Sequence, residues 1–350
     1  MPLTLTNLHR PEWAAFDTII DVRSPAEFAE DHIPGAISLP VLSNEERAKV
    51  GTIYTQDSPF VARKIGAALV ARNAARHIET SLIGFEGGWK PLVYCWRGGQ
   101  RSGSFAVILK QIGWRADTIE GGYQAYRRLL VDRLYEQPLG LRVFRLDGNT
   151  GTAKTDVIKR LKTLGVQVID LEGLAGHRGS ILGEMPQGQP SQKGFESLLG
   201  AEIAKLDPAR PLLVEAESSR IGNLRIPPAL WSVMKDAPCL TIKAPLRSRA
   251  QYLASAYSDL SDDTHRLEGL LHRLTKLAGH EVVASWLELL TEGRLVDLAE
   301  ELMTHHYDPA YARARGRHDS QLVAEFTAQA LDEAALDQLA EGIAERMARL

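Results

Sequence analysis

Only two cysteines occur in the 350 residues, Cys95 and Cys239, so neither a disulfide framework nor a structural zinc site is available to the chain. No run approaches the ~20 apolar residues of a membrane span. The opening MPLTLTNLHRPEW lacks the charged start and apolar core of a secretory signal, and the expected location is the cytoplasm. Neither sign of charge dominates: Lys and Arg number 41 against 44 Asp and Glu, a net charge of -3. That balance excludes a uniformly basic nucleic-acid coat while leaving room for a local basic groove. Repeats, low-complexity segments, long like-charge runs and coiled-coil heptads are missing as well, and the last absence favours a monomer. What remains is 44% hydrophobic and 24% charged, the balance of a globular protein with a length that suits about two domains.

Short apolar strands alternate with helical stretches over the first part of the chain. Residues 17–22, 35–40, 91–95 and 116–120 read as strands, and 25–30, 44–54, 59–80, 102–112 and 124–134 as helices. This alternation predicts a mostly parallel sheet covered on both faces. Pro138 and Gly140 interrupt it, and a second alternating block follows with strands expected at 141–148, 166–172, 211–217 and 237–244. From Leu246 the pattern turns helical, with Leu267, Leu270, Leu271 and Leu274 on one face. The expectation is an α/β chain with a parallel-sheet domain over 1–137 carrying a helical insertion at about 43–80. An α/β domain over 138–245 follows, and a helical region over 246–350 packs on it.

Cys95 ends an apolar strand and opens the segment CWRGGQRS, which runs into a helix. Gly98 and Gly99 let the backbone curl so that successive N–H groups point inward as an anion nest, with Ser102 at the helix start. Arg97, Arg101 and the helix N-terminus add positive charge, which lowers a thiol pKa and favours the thiolate nucleophile. Cys239 sits in the apolar run PCLTI and is expected to be plain core.

The second block opens with Gly148, Asn149, Thr150, Gly151, Thr152, Ala153, Lys154 and Thr155, directly after a strand and before a helix. This is the setting of a phosphate-binding P-loop, except that Ala153 stands where the pattern has glycine. Backbone N–H groups and the Lys154 ammonium would cradle a di- or triphosphate, with Thr155 placed for a magnesium ion. If position 153 requires a positive φ, alanine costs on the order of 1 kcal/mol there. An apolar strand ends with Glu215 and Glu217, and Glu215 could occupy the magnesium side. Equally, these residues could be a solvated strand end. No water-activating residue is identifiable, so a diphosphate bound without ATP hydrolysis is one reading. His177 and Arg178, in the glycine-rich stretch 170–183, suggest a second binding loop rather than a flexible connector. Further on, Tyr307 and Tyr311 interleave with Arg313, Arg315 and Arg317, a mixture that suits RNA as well as it suits a solvated helix face.

The segments DVRSPAEF from Asp21, HIPGAI from His32, CWRGGQRS from Cys95 and EGGYQAYR from Glu120 resemble the rhodanese fold across most of the first 135 residues. In that family the loop cysteine carries a persulfide or related chalcogen adduct. Simple rhodaneses space the loop C-x4-R, whereas this chain reads C-x5-R from Cys95 to Arg101. The longer loop leaves a wider cradle, suited to a larger donor than thiosulfate. It is also the spacing of cysteine phosphatases.

A rhodanese-like domain followed by a P-loop domain is more specific than either alone. Together with GLAGHRGS from Gly173, EAESSRIG from Glu215, HYDPAY from His306 and the insertion over 45–70, this order resembles bacterial tRNA 2-selenouridine synthases over essentially the whole chain. The main departure is Ala153, where that family's loop usually carries glycine. The resemblance implies a transferase that replaces sulfur by selenium in wobble 2-thiouridine of tRNA. Selenophosphate is its selenium donor, geranyl diphosphate supplies an S-geranyl intermediate, and no cofactor is tightly bound. Cys95 is then expected to accept selenium as a selanylsulfide-type adduct, with Arg97, Arg101 and the loop N–H groups holding the donor phosphate. The rival expectations are a sulfurtransferase or cysteine phosphatase fused to a nucleotide-binding domain, and a sensor whose loops only bind anions.

Overall fold

The computed structural model describes residues 2–8, 12–180, 183–216, 218–256, 264–315 and 321–350. Two compact units emerge, Met1–Pro138 with Pro190–Lys205, and Leu139–Gln189 with Leu206–Leu350.

In the first unit, β1 (Thr18–Asp21), β2 (Ile37–Ser38), β3 (Pro91–Tyr94) and β4 (Asp117–Thr118) form a parallel sheet in the order β2-β1-β3-β4. Strand β3 is buried throughout, as expected where both faces are covered. The helices begin where the chain supplies caps. Ser24 with Glu27 forms a capping box for α1 (Pro25–Glu30), and Ser43 with Glu46 does so for α2 (Asn44–Gln56). Ser58 caps α3 (Pro59–His77), whose proline stands at its first position. Next come α4 (Gln100–Ile112), stopped by Gly113 in the left-handed region, and α5 (Gly122–Val131). Ile20, Val22, Val93, Phe105 and Leu109 form one core with Val70 and Ala74 of α3. Because the strands run parallel, the chain leaving β1 and the Cys95 loop leaving β3 emerge at the same edge of the sheet.

The second unit is built on β5 (Val143–Asp147), α6 (Lys154–Thr163), β6 (Gln167–Ile169), α7 (Leu171–Ala175) and β7 (Leu212–Glu215). Residues 171 and 172, expected to continue a strand, open α7 because the Asp170 carboxylate accepts the Gly173 N–H at 2.7 Å. The intervening α8 (Gln192–Ile203) corrects the expected division of the chain, since residues 190–205 fold with the first unit. Two contacts hold it there: Glu196 of α8 is buried against Arg127 of α5 and accepts from the Tyr135 hydroxyl at 2.5 Å, and Gly200 lets the helix close on Leu130.

Beyond β7 lie the hairpin β8 (Arg220–Ile221) and β9 (Leu224–Arg225), then α9 (Pro228–Met234) and β10 (Cys239–Lys243), in which Cys239 is buried. The helices α10 (Leu246–Ala256), α11 (Thr264–Arg273), α12 (Thr275–Ala278), α13 (His280–Thr291), α14 (Leu295–Leu302) and α15 (Asp308–Arg315) follow. Leu267, Leu271, Trp286, Leu298 and Met303 form their own core. The region after 246 is not helical throughout, contrary to expectation. Strand β11 (Leu322–Thr327) pairs parallel with β10, and α16 (Glu333–Ala348) packs on α6. The finished sheet has the order β11-β10-β5-β7-β6, all parallel. Among the described residues no helix is long and apolar enough to cross a membrane.

Candidate active site

Cys95 is buried, with 3% exposure, immediately past the end of β3. Gly98 has φ +65°, and a side chain there would strike the Ile119 carbonyl and the Gly121 amide. Gly122 is equally constrained, because a Cβ would overlap the Cys95 carbonyl and the Gly98 nitrogen. Gly98 of the loop and Gly122 of EGGY therefore let two backbones touch, which shapes the nest under the sulfur. Burial pushes the Cys95 thiol pKa up. The hydroxyl and backbone of Ser102, the Arg101 charge and the Gly99 backbone outweigh it and leave the thiol below its ordinary value. The Ser102 hydroxyl lies 3.2 Å from the sulfur. Such a thiolate is a nucleophile already facing anion donors.

Arg101 is fixed by a residue that sequence reading passed over. Its Nη1 lies 3.2 Å from Glu27 Oε2, and the same carboxylate accepts the Ser24 N–H at 3.0 Å. Burial raises the Glu27 pKa, but the Ser24 N–H, Arg101 and the Ser24 hydroxyl together hold it below its ordinary value, so it stays ionised. The capping pattern S-x-x-E was its only signal. Arg97 is exposed and donates to Gln124 Oε1 at 3.2 Å. Behind the loop, Arg23 is buried in an ion pair with Asp21 and lies 3.9 Å above the Tyr123 ring, tying the β1 end to α5.

In the second unit the loop from Gly148 to Thr155 joins β5 to α6. Ala153 has φ +57°, the only positive value at a non-glycine position among the described residues. Its methyl group is buried in the core beside Val157 and Ile242. The condition set on position 153 is therefore met: the loop requires a left-handed residue and has an alanine in it. Lys154 folds back, its ammonium donating to the Gly148 carbonyl at 2.7 Å and lying 5.6 Å from the Tyr311 ring centre. Thr152 closes the turn by donating to the Asn149 carbonyl at 2.8 Å. The Thr150 carbonyl accepts from Arg249, itself paired with Asp308 at 2.8 Å. No local pattern announced this brace from α10 and α15.

Strand order brings Glu215 to the P-loop, since β7 is a direct neighbour of β5 and pairs Leu146 with Glu215. Glu215 is fully buried and accepts the Glu172 N–H at 3.0 Å, while the Thr155 hydroxyl donates to the Glu172 carboxylate at 3.2 Å. Glu172 thus joins the group that sequence reading had limited to Thr155 and Glu215. His177 accepts the Gly179 N–H at Nδ1, 3.1 Å away, and forms a β-bridge with Glu184. Arg178 likewise bonds within this loop, its N–H donating to the Gly183 carbonyl at 2.9 Å.

The proposed RNA face is not one surface. Tyr307 is a correction: it is buried in the helical core with Leu302 and Met303, because it continues their helical stripe. Tyr311 is half-buried at Lys154, and Arg313 is exposed. Glu217, Arg317 and the side chain of Arg315 lie outside the described residues.

Residues 4–129 match the rhodanese-like domain family, and residues 141–341 match the tRNA 2-selenouridine synthase AAA domain family. A tRNA 2-selenouridine synthase of Alcanivorax borkumensis is 38% identical over 68% of this chain and 66% of its own length. That of Shewanella halifaxensis is 35% identical over 77% of this chain and 72% of its own. The synthase of Pseudomonas syringae pv. syringae is 31% identical over 85% and 88%. With both domain families matched in order, and relatives of one name aligned across most of the chain, the protein belongs to the tRNA 2-selenouridine synthase family of enzymes.

Proposed function

We propose that the protein converts 2-thiouridine at the tRNA wobble position to 2-selenouridine, with chemistry divided between its two loops. In the first step the thiocarbonyl sulfur attacks C1 of geranyl diphosphate. An S–C bond forms, the C–O bond breaks, diphosphate leaves with the electron pair, and the N3 proton of the uridine passes to water. The loop amides and Lys154 neutralise that leaving charge, once Lys154 exchanges the Gly148 carbonyl for phosphate oxygen. The Thr155 hydroxyl with the Glu215 and Glu172 carboxylates is an all-oxygen donor set of the kind magnesium takes, and the ion would add charge neutralisation at the phosphates.

In the second step selenium bonds to C2, the C2–S bond breaks, and geranylthiol departs. S-geranyl uridine, selenophosphate and water then give 2-selenouridine, geranylthiol and phosphate, with no change of oxidation state. A selanylsulfide formed directly from selenophosphate would require phosphorus to leave two electrons richer. Attack of the Cys95 thiolate at phosphorus balances without that: an S–P bond forms, the P–Se bond breaks, and selenide is released for C2. Water then hydrolyses the phosphocysteine. The observation that carries this reading is the Cys95 thiol, held below its ordinary pKa by Ser102 and Arg101 in an anion nest. The C-x5-R spacing supports the phosphorus-directed step and also keeps the cysteine phosphatase as the second reading.

Nucleoside mass spectrometry of 2-thiouridine tRNA tests the proposal. Geranyl diphosphate alone should give the S-geranyl nucleoside, and both donors together 2-selenouridine. No mass change in any combination, with phosphoester turnover instead, would establish the phosphatase.

A further inference from the structure

Cys95 lines a cavity of ≈ 730 Å³ inside the first unit, and residues of the helical insertion line it too. A tetrahedral anion at the nest occupies a small part of such a space, which has the size of a site for a drug-sized organic ligand. Part of its wall is apolar: Leu42, Val50, Tyr54, Ala67 and Val70 all line it. Helix α2 buries none of its side chains, although it pairs with α3, and Tyr54 is 54% exposed while lining the cavity. Apolar surface is therefore left open beside the nucleophile. The cavity also has a net positive sign. Arg47, Arg63, Arg97 and Arg101 line it, and Glu27, 3.8 Å from Arg47 and 3.2 Å from Arg101, offsets one of these four charges.

These features describe a ligand with an apolar body and an anionic frame. Resting on the function proposed above, one constraint follows from connectivity. C2 of the uridine carries the sulfur-linked chain and also receives selenium, so when C2 stands at Cys95 the chain must lie against surface adjacent to Cys95. We propose that this cavity seats the S-geranyl group of the intermediate. Val50, Tyr54 and Ala67 contact the chain, and the arginines hold polynucleotide phosphate at the rim. The insertion is thus a substrate-binding element that distinguishes alkylated from unalkylated uridine. Nucleic-acid phosphate supplies the charge complement, and the chain covers the open faces of Tyr54 and Val50.

The test measures binding of two synthetic anticodon stem-loop RNAs, one with S-geranyl-2-thiouridine and one with 2-thiouridine, to the full-length protein without donors. Wild type should bind the geranylated RNA at least tenfold more tightly. Ala67→Trp fills the cavity from an exposed position, and Tyr54→Asp makes its wall polar. Each should remove most of that preference while leaving affinity for the 2-thiouridine RNA within twofold. A preference that survives both substitutions, or its absence in wild type, overturns the seat. Geranylation of 2-thiouridine RNA by the same wild-type preparation reads the function separately. If wild type geranylates but the substitutions leave its preference intact, the seat fails and the function stands. If wild type neither geranylates nor prefers the alkylated RNA, both fail.

Discussion

The Ser102 hydroxyl donates to the Cys95 sulfur at 3.2 Å from the first turn of α4. The nucleophile and its stabilising donor are thus carried on a single strand–loop–helix unit. Removing the donor leaves the buried sulfur with burial, which opposes ionisation, less well compensated. In Ser102→Ala the rate of iodoacetamide alkylation of Cys95 should fall several-fold at neutral pH. Its pH profile should move to higher pH, because the thiolate then forms later. Unchanged alkylation in this variant would mean that Arg101 and the backbone suffice.

Ala153 makes the P-loop unusually sensitive to side-chain shape. With φ +57°, glycine relieves the strain but gives up a buried methyl, so Ala153→Gly should shift stability by no more than about 1 kcal/mol. A β-branched residue is a genuine outlier in this conformation, so Ala153→Val should destabilise by more than about 2 kcal/mol. Urea denaturation of both variants checks the contrast. Equal tolerance of glycine and valine would show that the loop is not held left-handed.

Glu196 ties α8 to the first unit through Arg127 and the Tyr135 hydroxyl. Glu196→Ala leaves the half-buried Arg127 guanidinium with only the longer Asp31 contact at 3.9 Å, a change that costs about 2 kcal/mol. Hydrogen exchange should accelerate in α5 and α8 while β5 and α6 keep their protection. Uniform loss of protection across both units, or no loss at all, would count against this role.

What the sequence disclosed and what it concealed follow one physical division. Local signals were enough for α1, whose Ser24–Glu27 box and proline mark its start, and for both glycine-containing loops between strand and helix. Residue pairs distant in sequence were not legible. Glu27 with Arg101, Arg127 with Glu196 and Arg249 with Asp308 each join segments that only the folded chain brings together. Strand β11 was hidden because it is a half-exposed edge strand inside a helical stretch, and Tyr307 because an aromatic among arginines reads equally as surface or core.

His177 gives its loop a pH dependence of definite sign. Burial holds its pKa below the ordinary histidine value, outweighing the opposing pull of Glu184, and the neutral Nδ1 accepts the Gly179 N–H. This contribution is complete above the unfolded pKa. It is lost as pH falls from roughly 6.5 through the lower folded value. Limited proteolysis between residues 176 and 189 should therefore accelerate on acidification in that window. His177→Gln keeps an acceptor that does not titrate there, and should flatten the response. An unchanged profile in this variant would assign the pH dependence elsewhere.

The central claim is that Cys95 and Lys154 serve different steps, and nucleoside mass spectrometry of the two variants on two tRNA substrates tests it most directly. Cys95→Ala should geranylate 2-thiouridine tRNA and fail to convert S-geranyl tRNA to 2-selenouridine. Lys154→Ala should convert supplied S-geranyl tRNA and fail to geranylate. If both folded variants lose both conversions, the two loops act in one step and the division is wrong.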